Sequence, residues 1–189
     1  MKIAAIAEDV ALLSGYDPHY LPPDATGDKS GLLRRVRMEL EDCAREAILM
    51  TPPEQLSGWK PLSGKELQSL PDGEYLLPLP PDFLLLHSLR MSDWERDSRE
   101  ILPSSHWLAS LQHTEITAVR GGPDHPFIFR GVTPTGDAAL RIFRSAPGST
   151  LAEGWYMPAP VIDPTGDIQI PSSAYVRTVR MIAERLKSE

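Results

Sequence analysis

The sequence has very little cysteine: Cys43 is the only one among 189 residues. A single thiol forms no intrachain disulfide and supplies no cysteine cluster for a structural metal. A reducing, cytosolic origin is therefore the simplest interpretation. Cys43 lies on the apolar stripe of a predicted helix, and no neighbouring residue would activate its thiol, so we interpret it as a small buried apolar residue.

Long apolar runs and clusters of basic residues are also missing. No stretch approaches the roughly 18 apolar residues of a membrane-spanning helix, and Glu8 and Asp9 interrupt the first apolar run. We therefore expect neither export nor contact with a membrane. The formal net charge is −7 and the basic residues are scattered, which argues against tight nucleic-acid binding, because such binding depends on Lys and Arg replacing phosphate counterions. A surface of this charge can still face DNA without holding it.

Recognisable catalytic motifs are absent from the sequence as well. It contains no GxSxG, GxGxxG or HExxH motif and no phosphate-binding loop followed by a lysine. His87, His106 and His113 lack acidic partners at a spacing that would complete a metal site. We interpret the glycine-rich stretch at 121–125 and the acidic stretch at 163–167 as turns. We therefore predict that the protein is not an enzyme and holds no metal or cofactor.

Proline, by contrast, is abundant, with 19 residues in short groups. The densest group, Pro78–Asp82, lies between two apolar runs within Glu74–Met91. Proline lacks the N–H that helices and central strands need, so this stretch predicts a corner between two strands. We expect residues 75–79 to form a short edge strand, and residues 83–91 to form a longer strand that begins buried on both faces and ends half exposed.

The apolar period changes from 3.6 to 2 and back along the chain. Helical spacing predicts helices at Ile3–Leu13, Leu32–Met50 and Ser173–Lys187. Between the last two, a helical turn capped by Ser104 or Ser105 is predicted at 106–111, and strands are predicted around 59–62, 94–102, 116–119, 127–132, 138–144 and 151–157. Gly and Pro separate the later strands as in an antiparallel meander. The predicted fold is α+β, with the terminal helices packed together and an antiparallel β-rich middle.

Residues 1–29 differ from the rest of the chain. After the first helix, Tyr16–Lys29 contains three prolines and several turn-forming residues, but too few apolar residues to fold alone. We therefore divide the chain into 1–29, an N-terminal helix and extended arm, and 30–189, a single α+β domain. Exposed apolar side chains in the arm cost free energy in water, so we expect the arm to contact a neighbouring subunit or the chain's own surface.

Large aromatic side chains with a polar tip occur at Trp94, Trp107, Trp155 and Tyr156. Such side chains are enriched at protein interfaces and also pack in cores, and the sequence leaves both roles open. Our candidate interface residues are two of these tryptophans and three residues of the arm: Trp94, Trp155, Tyr16, Tyr20 and Leu21.

Five short stretches carry a family resemblance. They are Leu79-Pro80-Pro81-Asp82-Phe83 with the apolar strand to Met91, Trp94 shortly after it, the Leu140-Arg141-Ile142-Phe143 strand, the Trp155-Tyr156 pair before Pro158, and Ile168 to Ile170 before the last helix. In this order, between an amphipathic helix and a terminal helix, they resemble the head-to-tail connector, or adaptor, proteins of tailed bacteriophages. The resemblance covers roughly Gly31 to Leu186, and Met1–Lys29 does not match a minimal connector.

The resemblance implies a structural virion protein, made in the bacterial host cytoplasm and located in the neck or tail region of the particle. Its implied partners are copies of itself in a ring, which the family suggests is a dodecamer, a portal protein, a tail or second connector protein, and passing DNA without specific binding. A ring requires head-to-tail contacts, which arms and exposed strand edges can supply. Residues 30–189 would be the connector-like domain.

Two other classes of function stay open. One is a β-rich domain that binds a small ligand or a carbohydrate, with Trp94, Trp107 and Trp155 as a stacking platform and nearby carboxylates as acid and base. The sequence singles out no pair of carboxylates for that role. The other is a regulatory or scaffold protein of the host without specific chemistry.

Overall fold

The computed structural model describes residues 1–15, 30–62 and 66–188. These residues contain four α-helices and eight strands, and the predicted α+β fold with terminal helices is confirmed. The helices are α1 (Ile3–Ser14), α2 (Ser30–Leu49), α3 (Trp107–Leu111) and α4 (Ser172–Lys187). The chain divides into a helical unit, Met1–Gly58 with Ala159–Glu189, and a β unit, Trp59–Pro158. The β unit is therefore an insertion in the sequence of the helical unit.

The helical unit packs α1, α2 and α4 against one another, as predicted for the two long helices. The apolar stripe of α2 is buried at Val36, Leu40, Cys43 and Ala47, which agrees with its 3.6-residue period. Gly15 follows the last residue of α1, and its φ of 77° lets its N–H cap the last turn. The predicted division between residues 29 and 30 falls at the edge of a segment outside the described residues.

Arginine contacts fix α4 against α2. Arg185 donates from Nη1 to Glu39 Oε2 at 2.7 Å and from Nη2 to Glu46 Oε2 at 3.0 Å. Arg177 donates from Nη1 to the carbonyl oxygen of Met50 at 2.7 Å, next to the C-terminus of α2, where carbonyl groups lack helical partners. Because these groups are largely exposed, their main effect is to set the register of the two helices and not to add much stability.

The β unit contains the eight strands of the described residues. They are β1 (Lys60–Pro61), β2 (Gln68–Leu70), β3 (Glu74–Pro78), β4 (Phe83–Met91), β5 (Ile101–Leu102), β6 (Ile128–Val132), β7 (Ala138–Ile142) and β8 (Leu151–Pro158). They form a three-stranded sheet in the order β1-β8-β4 and a five-stranded sheet in the order β2-β3-β7-β6-β5. One apolar core takes buried side chains from both sheets, for example Leu77 of β3 and Leu89 of β4.

This strand order corrects several predictions. Strand β3 is not an edge strand, because β2 and β7 flank it. Strand β4 is most buried at its end, where Leu89 and Met91 are inaccessible, and not at its beginning. Residues 74–157 form parts of two sheets instead of one, and β5 runs parallel to β6, so the strands are not a simple antiparallel meander.

Three local predictions are also wrong. Residues 116–119, predicted as a strand, include a 3-10 helix at Thr117–Val119. The returning strand predicted at 94–102 is reduced to β5 and a bridge between Leu89 and Ser98. Helix α3 is capped by His106, whose Nδ1 accepts a hydrogen bond from the N–H of Leu108 at 3.3 Å, and not by Ser104 or Ser105.

The remaining short helices of the described residues are 3-10 helices at Pro53–Gln55 and Pro71–Gly73. Among the helices of residues 1–15, 30–62 and 66–188, none is both long enough and apolar enough to cross a bilayer.

Candidate functional site

The proline corner predicted at Pro78–Asp82 is confirmed. It connects β3 of the five-stranded sheet with β4 of the three-stranded sheet. The non-proline residue Leu79 donates its N–H to the carbonyl oxygen of Ala138 at 2.9 Å. The prolines therefore occupy positions where the missing N–H costs no ladder hydrogen bond.

Asp82 anchors the corner to the three-stranded sheet. Its Oδ2 accepts a hydrogen bond from Lys60 Nζ at 2.9 Å, and its Oδ1 accepts one from the hydroxyl of Tyr156 at 2.9 Å. Desolvation by burial raises the pKa of Asp82, but hydrogen bonds from Lys60 and Tyr156 lower it by more, so the net shift is downward. Burial and the bond to Asp82 raise the pKa of Tyr156 to about 12. One carboxylate thus joins the corner to β1 and β8.

A groove of about 1070 Å³ lies beside the corner. Pro78, Pro80 and Leu84 contribute to its lining from the corner and the start of β4, and Ile101 and Val132 from β5 and β6. Val132 is 65% exposed. Prolines and aliphatic side chains of this kind provide a rigid apolar surface that binds a partner without ordering many flexible groups.

Three charged residues line the groove: Arg130, Asp137 and Arg141. Arg141 donates from Nε and Nη2 to Glu74 Oε2, at 2.9 and 2.7 Å, and the Glu74 carboxylate is buried. His113 Nε2 lies 3.3 Å from the other oxygen of Glu74. The Arg141 guanidinium also lies 4.8 Å from the ring centre of Phe143. These contacts hold Arg141 in place and neutralise it, whereas Arg130 and Asp137 are exposed, so the groove has a mixed apolar and charged lining.

The predicted interface tryptophans are in different environments. Trp94 is 4% exposed and packs in the core of the β unit, which is the core role that the sequence left open. Trp155 is partly buried on β8 and donates its indole N–H to Glu153 Oε1 at 2.8 Å. Trp107 of α3 is exposed. A buried Trp94 cannot belong to a surface platform with Trp107 and Trp155, and the interface role of Trp155 stays a prediction.

The remaining candidate residues lie elsewhere. Tyr16, Tyr20 and Leu21 are outside the described residues. His87 stacks on Trp59, with ring centres 4.4 Å apart and an interplanar angle of 28°. Sequence reasoning missed this pair, because the residues are distant in the chain and meet only across the sheet. Within the described part of the chain, no three His, Cys, Asp or Glu side chains are grouped to hold a metal ion.

The two predicted turns are confirmed. Gly122 and His125 exchange backbone hydrogen bonds at 3.1 and 3.2 Å. In the second turn, Asp163 Oδ1 accepts hydrogen bonds from the backbone N–H groups of Thr165 and Asp167 at 2.9 and 2.8 Å. The pKa of Asp163 lies below its ordinary value, chiefly because the Thr165 side chain donates a hydrogen bond to its carboxylate.

The second turn contains a tetrapeptide that occurs twice in the sequence. The sequence Pro-Thr-Gly-Asp occurs at 134–137 and at 164–167. In both copies the glycine has a positive φ, 90° at Gly136 and 79° at Gly166. In both copies the glycine N–H donates to the carbonyl oxygen three residues earlier, at 2.9 and 3.0 Å. This repeat is a sequence signal for a closed turn that our reading of the sequence missed at 134–137.

Comparison with known proteins does not add a family assignment. No protein-family model matches the chain, and no curated protein matches it. The function is therefore inferred from the residues themselves and from the arrangement of the described parts of the chain.

Proposed function

We propose that this protein is a structural virion component, a head-to-tail connector subunit that forms a ring and joins a portal protein to tail components. The groove beside the proline corner carries this proposal. The corner, Leu79 to Phe83, belongs to the stretches that resemble connector proteins, and it contributes much of the groove's apolar lining. The prolines and aliphatic side chains of the lining, with Arg130 and Asp137 beside them, favour a polypeptide partner, because exposed apolar surface bordered by polar residues marks protein-binding sites.

The ring is proposed to be a dodecamer in the neck or tail region of the particle, assembled from subunits made in the host cytoplasm. Its contacts are proposed to involve the arm Tyr16–Lys29 and the β unit, with a portal protein on one side and a tail or second connector protein on the other. The net charge of −7 supports this assignment, because an acidic ring repels DNA and lets it pass without specific binding. The proposed role requires no catalysis, cofactor or membrane.

The rival function, a carbohydrate- or small-ligand-binding domain, receives less support. It requires aromatic rings that converge on one exposed surface. Trp94, one of the three tryptophans assigned to that surface, is buried in the core.

The decisive experiment measures the mass of the purified protein, alone and mixed with the portal protein of the same virus. We expect the chain to join the portal ring, whether it is a monomer or a ring by itself. A chain that never joins the portal, yet binds a sugar or small metabolite, would refute the connector assignment.

A matched pair of variants tests the role of the groove. Val132→Lys places a charge in the groove, whereas Val161→Lys changes an equally exposed valine of the helical unit. The wild-type exposures are 65% and 59%, so neither substitution buries a charge, and each should change the free energy of unfolding by no more than about 0.5 kcal/mol. We expect Val132→Lys to weaken binding to the portal, to the tail component or to further copies by tenfold or more, and Val161→Lys to leave all three unchanged. Equal effects of the two variants would exclude the groove as the binding surface.

A further inference from the structure

The helical unit has an apolar groove of its own, between α1 and α4. It has a volume of about 240 Å³ and is lined by Asp9, Leu12, Leu13, Tyr175, Val176 and Val179. Leu12, Leu13 and Val176 are each more than half exposed. Single exposed apolar residues are ordinary, but three that border one concave site indicate a surface that a partner covers.

The groove offers little to a polar ligand. Among the described residues that line it, Asp9 and Tyr175 carry the polar side-chain groups, and the Tyr175 hydroxyl donates a hydrogen bond to Asp9 Oδ2. Because these groups satisfy each other, an incoming group gains mainly by burying apolar surface. The expected occupant is therefore an aliphatic or aromatic side chain.

The sequence next to the groove contains such side chains. Helix α1 ends at Ser14, immediately after the groove residues Leu12 and Leu13. The 14 residues that follow, 16–29, contain Tyr16, Tyr20 and Leu21.

Charge also matches this segment to α4. Residues 16–29 have three aspartates and one lysine. On α4, Arg180 is exposed one turn after the groove residue Val176, and Lys187 Nζ lies 3.3 Å from the carbonyl oxygen of Leu13. These two cations favour an acidic segment along α4, whereas the Asp9 carboxylate in the groove favours uncharged side chains such as Tyr20 and Leu21 there.

We propose that the groove between α1 and α4 of one copy binds Tyr20 and Leu21 of a second copy of this chain. This rests on the proposed function, because it supplies a subunit contact for the ring. The segment and the groove are different surfaces, so the contact is head-to-tail, the type that closes into rings. Tyr20 and Leu21 are five and six residues beyond Gly15, so an extended chain reaches a groove of another copy that lies within roughly 20 Å of the end of α1.

Heterotypic crosslinking tests the contact. One preparation carries Val176→Cys and another carries Leu21→Cys, and the two are mixed, assembled with the portal protein and oxidised. The native Cys43 is buried and does not compete. We expect a disulfide-linked dimer of the two variants on a non-reducing gel, and at least tenfold less of it when Val161→Cys replaces Val176→Cys.

The other outcomes are equally informative. If only the double variant Val176→Cys/Leu21→Cys crosslinks, and does so within one chain, the segment binds its own groove and the proposal is overturned. If the copies join the portal without any crosslink, the proposal fails and the connector function stands. If the copies neither associate nor join the portal, both fail.

Discussion

Replacing Asp82 by alanine should destabilise the β unit more than its partly exposed position indicates. The carboxylate accepts hydrogen bonds from Lys60 and Tyr156 and ties the proline corner to the three-stranded sheet. Lys60 is about half exposed, so its ion pair is worth at most about 1 kcal/mol. Tyr156 is buried, and leaving its hydroxyl without an acceptor costs roughly 1–3 kcal/mol. We expect Asp82→Ala to lower the free energy of unfolding by about 2–3 kcal/mol.

Two further variants divide this loss between the partners. Tyr156→Phe removes the hydroxyl but leaves Asp82 with Lys60 and water, so we expect a loss of about 0.5–1.5 kcal/mol. Lys60→Met removes only the exposed ion pair, and we expect a loss below about 1 kcal/mol that decreases further in high salt. In a double-mutant cycle, Asp82→Ala and Tyr156→Phe should be non-additive by roughly 0.5–1.5 kcal/mol.

Urea unfolding followed by tryptophan fluorescence measures these losses. All four tryptophans lie in the β unit, so the signal reports that unit. A loss for Asp82→Ala no larger than that for Lys60→Met would refute the reasoning, because the bond to Tyr156 would then contribute nothing measurable.

The dependence on pH gives a second check. The pKa of Asp82 is lower in the folded protein than its ordinary value of 3.8. The Asp82 carboxylate therefore binds a proton more tightly in the unfolded chain than in the folded protein. The stabilisation that ionised Asp82 provides is fully present above pH 3.8 and is lost as the pH falls through the pKa of the folded protein. The difference in free energy of unfolding between wild type and Asp82→Asn should therefore decrease as the pH falls below 3.8. A difference that stays constant down to acid pH would contradict a stabilising role of the ionised carboxylate.

Three other predictions concern single residues. Cys43 is buried, and burial raises the pKa of its thiol to about 11. A thiol reagent should therefore react with Cys43 only after unfolding, and rapid reaction of the native protein would contradict its burial. Burial and the hydrogen bond to Asp9 raise the pKa of Tyr175 to about 12, above its ordinary value of 10. The stabilisation that protonated Tyr175 provides should be lost as the pH rises from 10 through 12. Over this range, circular dichroism should show a shallower loss of helix for Tyr175→Phe than for the wild type. Gly136→Ala should lower the free energy of unfolding by about 1–2 kcal/mol, because a φ of 90° strains any residue with a side chain. Gly122→Ala should be nearly neutral in the same urea assay, because an added Cβ would meet nothing within 4 Å and the φ of Gly122 is not positive.

The helices could be predicted from the sequence because their periodicity is local. The helix predicted at Leu32–Met50 is observed at Ser30–Leu49, and the one predicted at Ser173–Lys187 begins one residue earlier. In both, apolar residues recur every three or four positions and a Ser or Pro marks the start. Such signals need no knowledge of distant parts of the chain.

The neighbours of each strand could not be predicted in this way. Tyr75 of β3 pairs with Ile142 of β7, and nothing near Tyr75 in the sequence specifies that partner. The parallel pairing of β5 with β6 depends on the path of the intervening residues 103–127. Edge or central position, and therefore the burial of each face, is a property of the whole sheet.

The candidate site shows the same limit. The corner was predicted, because three prolines in four positions exclude regular structure. The rest of the groove beside the corner could not be predicted, because Ile101 and Val132 line it from strands whose order in the sheet is not specified by the sequence. The anchoring of the corner was missed for the same reason, because Asp82, Lys60 and Tyr156 meet only after β1 and β4 have both paired with β8.

The insertion of one unit into the other has a consequence for synthesis on the ribosome. Lys60 and Tyr156 are paired neighbours in the three-stranded sheet, so the β unit begins and ends at one place and can complete its sheets once Pro158 has emerged. Helix α2 is made before the β unit but lacks α4, its main packing partner, until residues 172–187 are translated. Because domains fold as units during elongation, the β unit should be the first to resist a protease in arrested nascent chains. The helical unit should gain protection only after α4 has emerged from the ribosome.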